Sequence, residues 1–126
     1  MKLIKTYGII IKRSNIGEAD RILTILTDRI GKIKAIAKGV RKTKSHLVGS
    51  LESYMLVDLQ LHSGKTFYLV TGANIVQQYQ NIHSNIKKTA KAFFVGELID
   101  KFVEENHSAN SIFDLLNVTL LAIDEG

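Results

Sequence analysis

The 126-residue chain contains no cysteine, no proline and no tryptophan. Without cysteine it cannot hold a disulfide, a thiolate nucleophile or a cysteine-ligated zinc ion within these residues. Its four histidines lie at positions 46, 62, 83 and 107, and none is paired at the i, i+4 spacing or grouped with carboxylates. The sequence therefore predicts no metal site in this chain.

Long apolar runs are missing as well. No uncharged apolar run approaches the roughly 18 to 20 residues that a membrane-spanning helix needs. The N-terminal segment MKLIKTYGII starts with a basic residue, but Lys5 and Tyr7 interrupt it and no small-residue cleavage site follows. We therefore expect no membrane span, no signal peptide and a cytoplasmic location.

Sequence motifs of catalysis are also absent. The chain has neither the GxxxxGK[ST] loop that cradles phosphates nor the GxSxG motif of serine hydrolases. Glu18 and Asp20 form a close carboxylate pair, but no third acidic residue is near and Arg21 is available as a charge partner. A turn-stabilising role is the better interpretation of this pair than metal-dependent catalysis. We predict that the chain is not an enzyme.

What the chain does contain is alternation, the pattern of half-buried strands. Five segments show it: LIKTYGIIIKR, DRILTILT, KIKAIAKGV, YMLVDLQLH and TFYLVTGANIVQQY, the last with a bend or bulge expected at Gly72. The intervening RKTKSHLVGSL lacks periodicity and is interpreted as a loop. Five short strands at hairpin spacing favour a small barrel, because a flat five-stranded sheet would leave exposed edges.

From residue 84 the period changes to that of a helix. Apolar residues recur every four positions, at Ile86, Ala90, Phe94, Leu98 and Phe102. A second helix is predicted to open at Ser111, and two such helices cannot cover their own apolar faces well. We therefore predict an all-β barrel over residues 1–80 and, over residues 81–126, the beginning of a helical domain that continues past Gly126. The fold class is α+β overall.

The net charge of +5 is unevenly distributed. Residues 1–65 hold 13 Lys and Arg against 5 Asp and Glu, a net +8, whereas residues 66–126 hold 4 against 7, a net −3. The densest basic segment, AKGVRKTKSH, follows the third predicted strand. Its cations, a flexible glycine and a serine hydroxyl are groups that bind phosphates. The alternative, a solvated loop whose charge protects a strand edge, stays open at this point.

Single-strand binding also uses aromatic side chains as stacking platforms. The candidates are Tyr7, Tyr54, Phe67 and Tyr68, although aromatic residues of a small barrel more often lie in its core. Phe67 and Tyr68 are adjacent in a strand and point to opposite faces, so at most one of them is expected outside.

An ordered set of short motifs runs through the first 80 residues. It consists of Gly17-Glu18-x-Asp20-Arg21, Thr27, Gly31, Ala37-Lys38-Gly39-x-Arg41-Lys42-x-Lys44-Ser45 and Gly49-x-Leu51. The set resembles the N-terminal region of the RecO family of bacterial recombination mediators. One departure is that the family usually has Leu-x-Pro-aromatic after the basic loop, where this chain has Leu51-Glu52-Ser53-Tyr54.

The resemblance implies an OB-fold barrel that binds single- and double-stranded DNA, followed by a helical domain. It implies a DNA repair and recombination mediator that anneals complementary strands. With RecR, such a protein helps to load RecA onto DNA coated by single-stranded DNA-binding protein. It also implies a bacterial, nucleoid-associated location. Family members are about twice this length, and many carry a four-cysteine zinc site that would lie beyond Gly126, so no cofactor is expected in this portion.

Eight residues are predicted to hold DNA phosphates without reading bases. They are Lys38, Arg41, Lys42 and Lys44, with help from Arg13, Arg21, Lys32 and Lys34. Two alternative functions remain open from the residues alone. One is a generic RNA-binding OB module, and the other is an interaction adaptor whose cations meet acidic partners.

Overall fold

The computed structural model describes residues 2–42, 47, 49–106 and 110–126. Five strands come first: β1 (Leu3–Ile16), β2 (Asp20–Thr27), β3 (Lys32–Ala37), β4 (Leu56–His62) and β5 (Tyr68–Gln77). Three helices follow: α1 (Gln80–Ser84), α2 (Ile86–Phe102) and α3 (Asn110–Glu125). Within these described residues, no helix is long and apolar enough to cross a membrane.

The strands form a closed barrel in the order β1-β2-β3-β5-β4, with β4 pairing back onto β1. All neighbouring strands are antiparallel except β3 and β5, which form a short parallel pair. This order confirms the predicted OB-fold barrel, and the helices after it confirm the α+β class. The register between β4 and β5 shifts next to Gly72, as the bulge predicted there requires.

The barrel interior is filled by alternate residues of the strands, such as Ile10, Leu23 and Ile33. Val40 and Leu51, which lie between β3 and β4, are buried in the same cluster. The segment between these strands is therefore partly anchored by its own apolar side chains, although its sequence shows no period.

A second core lies between the barrel and the helices. Ile9 and Ile11 of β1 pack there with Tyr54, Ile82 and Ala92, while Ile10 between them faces the barrel interior. The register of β1 on β2 shifts between Ile10 and Lys12, which lets the three consecutive isoleucines all be buried. Barrel and helices thus share β1, and the division into two domains at residue 80 stays a prediction.

The helix predicted from residue 84 is confirmed as α2, but its regular apolar row does not face the core. Ile86, Phe94 and Phe102 are 86%, 67% and 79% exposed. The face that packs on the barrel carries Ala92 and Gly96, because the ring of Tyr54 lies against it. A Cβ atom on Gly96 would come within 2.3 Å of the Tyr54 hydroxyl oxygen, so only glycine, which has no Cβ atom, allows this approach.

Candidate nucleic-acid interface

The predicted phosphate-binding residues are distributed over three places in the fold. Lys34 and Lys38 lie on or directly after β3; Arg13, Arg21, Arg41 and Lys42 lie around the β1–β2 hairpin; and Lys32 lies beneath α2. Lys44, with its neighbours 43, 45 and 46, falls outside the described residues.

One row of side chains crosses β1, β2 and β3. Lys12 is paired opposite Thr24, and Thr24 is paired opposite Lys34. Both lysines are about half exposed, and each has a carboxylate nearby: Lys34 Nζ lies 3.4 Å from Glu105 Oε1, and Lys12 Nζ lies 3.6 Å from Asp100 Oδ2. Exposed pairs of this kind are weak and exchange readily. Sequence reasoning missed Lys12, because only the strand register shows that it lies in one row with Lys34, with Thr24 between them.

Lys32 has a different environment from Lys34, although strand alternation puts both on one face of β3. Lys32 is 6% exposed, and its Nζ donates a hydrogen bond to the Asp100 backbone oxygen at 2.6 Å. The segment after α2 also lies along β3, with Asn106 N–H donating to Lys32 O at 2.7 Å. Lys32 therefore joins the barrel to the helices. Its charge is buried, contrary to the expectation that this lysine faces DNA.

The described part of the basic segment, residues 37–42, makes a tight turn after β3. Gly39 adopts φ +66, which favours glycine, and the Lys42 N–H donates to Gly39 O at 3.0 Å. The side chains of Lys38 and Lys42 are exposed on either side of this turn. Neither forms an ion pair with any residue that the structure describes. Among the predicted cations that the structure describes, they are the two whose charge is most available to an anion.

Arg41 is used differently from its neighbours. Its Nε donates to Asp20 O at 3.2 Å, and its Nη2 donates to Ile16 O at 3.3 Å and to Gly17 O. The acceptors are neutral backbone carbonyls of the β1–β2 hairpin, and they engage the Nε and Nη2 groups of the guanidinium.

The two other arginines of the predicted set, Arg13 and Arg21, are partly engaged. Arg13 forms an ion pair with Glu52, the residue just before Ser53, which stands where the family usually has proline. Arg21 Nε donates to Asn15 Oδ1 at 3.1 Å, not to Asp20 as the sequence suggested. The Asp20 carboxylate instead accepts the Gly39 N–H at 2.7 Å. Asp20 therefore has the turn-stabilising role that the sequence predicted, with a different partner.

Tyr54 lies in the core and is not a stacking platform. Its ring is 2% exposed and meets Phe93 edge to face with centroids 5.0 Å apart. Burial, with smaller contributions from Glu97 and Asp100, raises the pKa of Tyr54 to about 12. Its backbone N–H donates to Ile10 O at 2.7 Å, so the chain is fixed to β1 here without the family's proline. Tyr7, at 47% exposure, is the most accessible of the four aromatic candidates.

No group of three or more metal-binding side chains occurs within the described part of the chain. Because the chain has no cysteine, it does not contain the residues of a four-cysteine zinc site. Nothing in the candidate interface is therefore assigned to a metal.

These observations define a class: an OB-fold barrel joined to helices, with exposed lysines on the side formed by β1, β2 and β3 and around the hairpin that ends there. The chain belongs to the RecO family, since residues 1–79 match the family model described as "Recombination protein O N terminal".

Curated relatives agree with this assignment. A protein of Dehalococcoides mccartyi named "DNA repair protein RecO" is 43% identical over 120 residues, covering 95% of this chain and 47% of that protein. One from Thermoanaerobacter sp. with the same name is 32% identical over 125 residues, covering 99% and 50%. A third, from Alkaliphilus metalliredigens, is 36% identical over 118 residues, covering 94% and 48%. The chain thus spans about half the length of these relatives.

Proposed function

We propose that this chain is the DNA-binding N-terminal portion of a DNA repair protein, that it has no catalytic activity, and that it holds phosphates of single- and double-stranded DNA without reading bases. The observation that carries the proposal is the pair Lys38 and Lys42. Both are exposed, neither has a carboxylate partner among the described residues, and both lie on a fixed turn beside an OB-fold barrel. Family membership and the relatives' shared name support the assignment to DNA repair.

The contact surface is proposed to comprise Lys12, Lys34, Lys38 and Lys42. Ammonium groups bind phosphates as point charges and release condensed counterions, which gives affinity without sequence preference. Lys12 and Lys34 become part of this contact surface when each exchanges its weak carboxylate partner for a phosphate. Arg13 and Arg21 lie at the margin of this surface, Lys44 stays a predicted member outside the described residues, and Lys32 is left out because it is buried.

The wider role is proposed from family membership. A surface that neutralises phosphates on two strands lowers their mutual repulsion and so promotes annealing. The full-length protein would, with RecR, help to load RecA onto DNA coated by single-stranded DNA-binding protein. This role places it in the bacterial cytoplasm at the nucleoid.

A salt titration of binding to a labelled single-stranded oligonucleotide tests the proposal. Four phosphate contacts give a salt slope of about −3, so affinity falls roughly fiftyfold between 50 and 200 mM salt. The variant Lys38→Ala/Lys42→Ala loses two contacts, and its slope should become shallower by about 1.4. The matched control Lys87→Ala/Lys91→Ala removes the same charge from exposed positions on α2 and should keep the parent's slope. Equal slopes for both double variants would reject the proposed surface.

Two competition experiments address the alternative functions. An RNA oligonucleotide of the same sequence should compete no better than DNA, because point contacts to phosphate do not use the 2′-hydroxyl. A strong preference for RNA would contradict a repair role. An acidic peptide that displaced DNA from the parent, at a peptide charge concentration well below that of the DNA, would favour the interaction adaptor.

A further inference from the structure

The turn between β1 and β2 and the segment after β3 are joined by a compact set of hydrogen bonds. Asp20 Oδ1 accepts the Gly39 N–H at 2.7 Å, and the Asp20 backbone oxygen accepts from Arg41 Nε at 3.2 Å. The Arg41 N–H donates to Ala19 O at 2.9 Å. Asp20 and Arg41 thus hold the two segments together with both side-chain and backbone groups.

The hydrogen bonds of Arg41 limit how its guanidinium can bind a phosphate. A guanidinium binds phosphate best through two adjacent N–H groups, along either its Nε–Nη2 edge or its Nη1–Nη2 edge. Both edges include Nη2, and the Nη2 group already donates to the carbonyl oxygens of Ile16 and Gly17. Arg41 therefore cannot offer a phosphate either edge without releasing the hairpin.

Asp20 puts a negative charge next to the surface that we propose binds an anion. Considered as a charge alone, Asp20 would weaken DNA binding. Its carboxylate, however, holds the N–H of Gly39, the residue whose left-handed conformation turns the chain between Lys38 and Lys42. The geometric and electrostatic effects of Asp20 are therefore opposite in sign and can be separated by experiment.

We infer that Asp20 and Arg41 are positioning residues, which fix the turn so that Lys38 and Lys42 are presented together and which do not themselves contact phosphate. The inference rests on the proposed DNA-binding function. Lys38 directly precedes Gly39 and Lys42 directly follows Arg41, so each lysine backbone adjoins an anchored residue. Such preorganisation lowers the entropy cost of ordering the two lysines on DNA.

Four variants separate positioning from direct contact, each measured by single-stranded DNA binding in a salt titration and by thermal unfolding. Asp20→Ala should weaken binding about tenfold, although it removes a negative charge, because the turn must then be ordered on DNA. Asp20→Asn keeps an oxygen acceptor for the Gly39 N–H and should bind at least as tightly as the parent. Arg41→Lys keeps the charge, but its single ammonium nitrogen lacks the planar, spread donors that reach the three carbonyls, so it should lose as much affinity as Arg41→Ala.

Amide hydrogen exchange supplies a readout independent of DNA. The N–H groups of Gly39 and Arg41 should be protected in the parent and in Asp20→Asn, and should lose protection in Asp20→Ala and Arg41→Lys. Tighter binding by Asp20→Ala, or recovery of binding by Arg41→Lys, would overturn the inference and leave the proposed function intact. A parent chain that bound no DNA would overturn the proposed function and the inference with it.

Discussion

Lys32 of β3 donates a hydrogen bond from its ammonium group to the backbone oxygen of Asp100 in the last turn of α2, at 2.6 Å. The last carbonyls of a helix have no partner within the helix, and a cation is favourable beside them. The carboxylate of Asp100 also lies 3.7 Å from the same ammonium group. A lysine that the sequence assigned to DNA contact is therefore a link between barrel and helix.

Replacing this lysine should cost stability and leave DNA binding nearly unchanged. Lys32→Met keeps most of the apolar stem but loses the charged hydrogen bond, and we expect the free energy of unfolding to fall by about 2 kcal/mol. Lys34→Met is the matched control, since Lys34 is about half exposed and its ion pair is worth well under about 1 kcal/mol. Urea unfolding measures both values, and equal losses in the two variants would contradict the role of Lys32.

The contact between Gly96 and Tyr54 predicts an unusual result for a glycine in a helix. Gly96→Ala would ordinarily stabilise a helix by about 1 kcal/mol. Here the added methyl would lie 2.3 Å from the Tyr54 hydroxyl oxygen, and overpacking of this kind costs about 1–3 kcal/mol. We expect a net loss of about 1 kcal/mol, whereas Phe94→Ala, at an exposed site on the same helix, should change stability by less than about 0.5 kcal/mol. A higher melting temperature for Gly96→Ala would contradict the close contact between Gly96 and the side chain of Tyr54.

Glu105 is expected to compete with DNA for Lys34. Its Oε1 lies 3.4 Å from Lys34 Nζ, so Glu105→Gln should free the lysine and strengthen single-stranded DNA binding about two- to threefold at low salt. The neighbouring Glu104 is exposed and forms no ion pair with the residues that the structure describes. Glu104→Gln removes the same charge without freeing Lys34 and should have a smaller effect. The difference should shrink as salt screens both charges, and identical effects at every salt concentration would argue against competition.

The raised pKa values of two buried tyrosines predict that the protein loses stability at high pH. Burial raises the pKa of Tyr54 to about 12, and burial with a smaller contribution from Asp124 raises that of Tyr79 to about 12, from an ordinary value of 10.0. The unfolded chain therefore loses these protons first, so their stabilising contribution is complete below pH 10 and declines as the pH rises from about 10 to 12. Each tyrosine should add up to about 1.4 kcal/mol per pH unit to the slope in that window.

Urea unfolding between pH 8 and 11.5 measures this slope. Tyr79→Phe should flatten it above pH 10, although the variant loses the hydrogen bond from the Tyr79 hydroxyl to Asn117 Oδ1 and is less stable at pH 8. Tyr7→Phe, at an exposed position, is the matched control for the loss of one tyrosine hydroxyl. A slope that stayed as steep in Tyr79→Phe as in the parent would disagree with the raised pKa of Tyr79.

The barrel was predictable from sequence because strand alternation is a local pattern, and the same alternation puts Lys34 on the face of β3 opposite to Ile33 and Ala35. The exposure of individual side chains could not be predicted, because it depends on which helix packs over which strand. Lys32 and Lys34 are equivalent in a strand pattern, and only the end of α2 distinguishes them. The apolar row of α2 identified a helix correctly, but the size of the Tyr54 ring selects the face with Ala92 and Gly96 for packing.

In the candidate interface, too, local sequence features were predictable and long-range contacts were not. Clustered cations marked the segment after β3 as basic, and the paired carboxylates Glu18 and Asp20 marked the hairpin as a turn. That Asp20 and Arg41 join the two depends on a contact between residues 21 positions apart in sequence. Side-chain type alone does not separate an arginine that binds carbonyls from one that binds phosphate, because both uses need the same planar group of N–H donors.

The consecutive isoleucines Ile9, Ile10 and Ile11 have a consequence for cooperativity. Because β1 contributes to the barrel interior and to the core beneath the helices at once, detaching the helices would expose Ile9 and Ile11 on a strand that the barrel needs. Barrel and helices should therefore melt in one transition, with coincident signals from helical and tertiary probes. The boundary at which the family match ends, residue 79, is then a boundary of sequence similarity and not of thermodynamic independence.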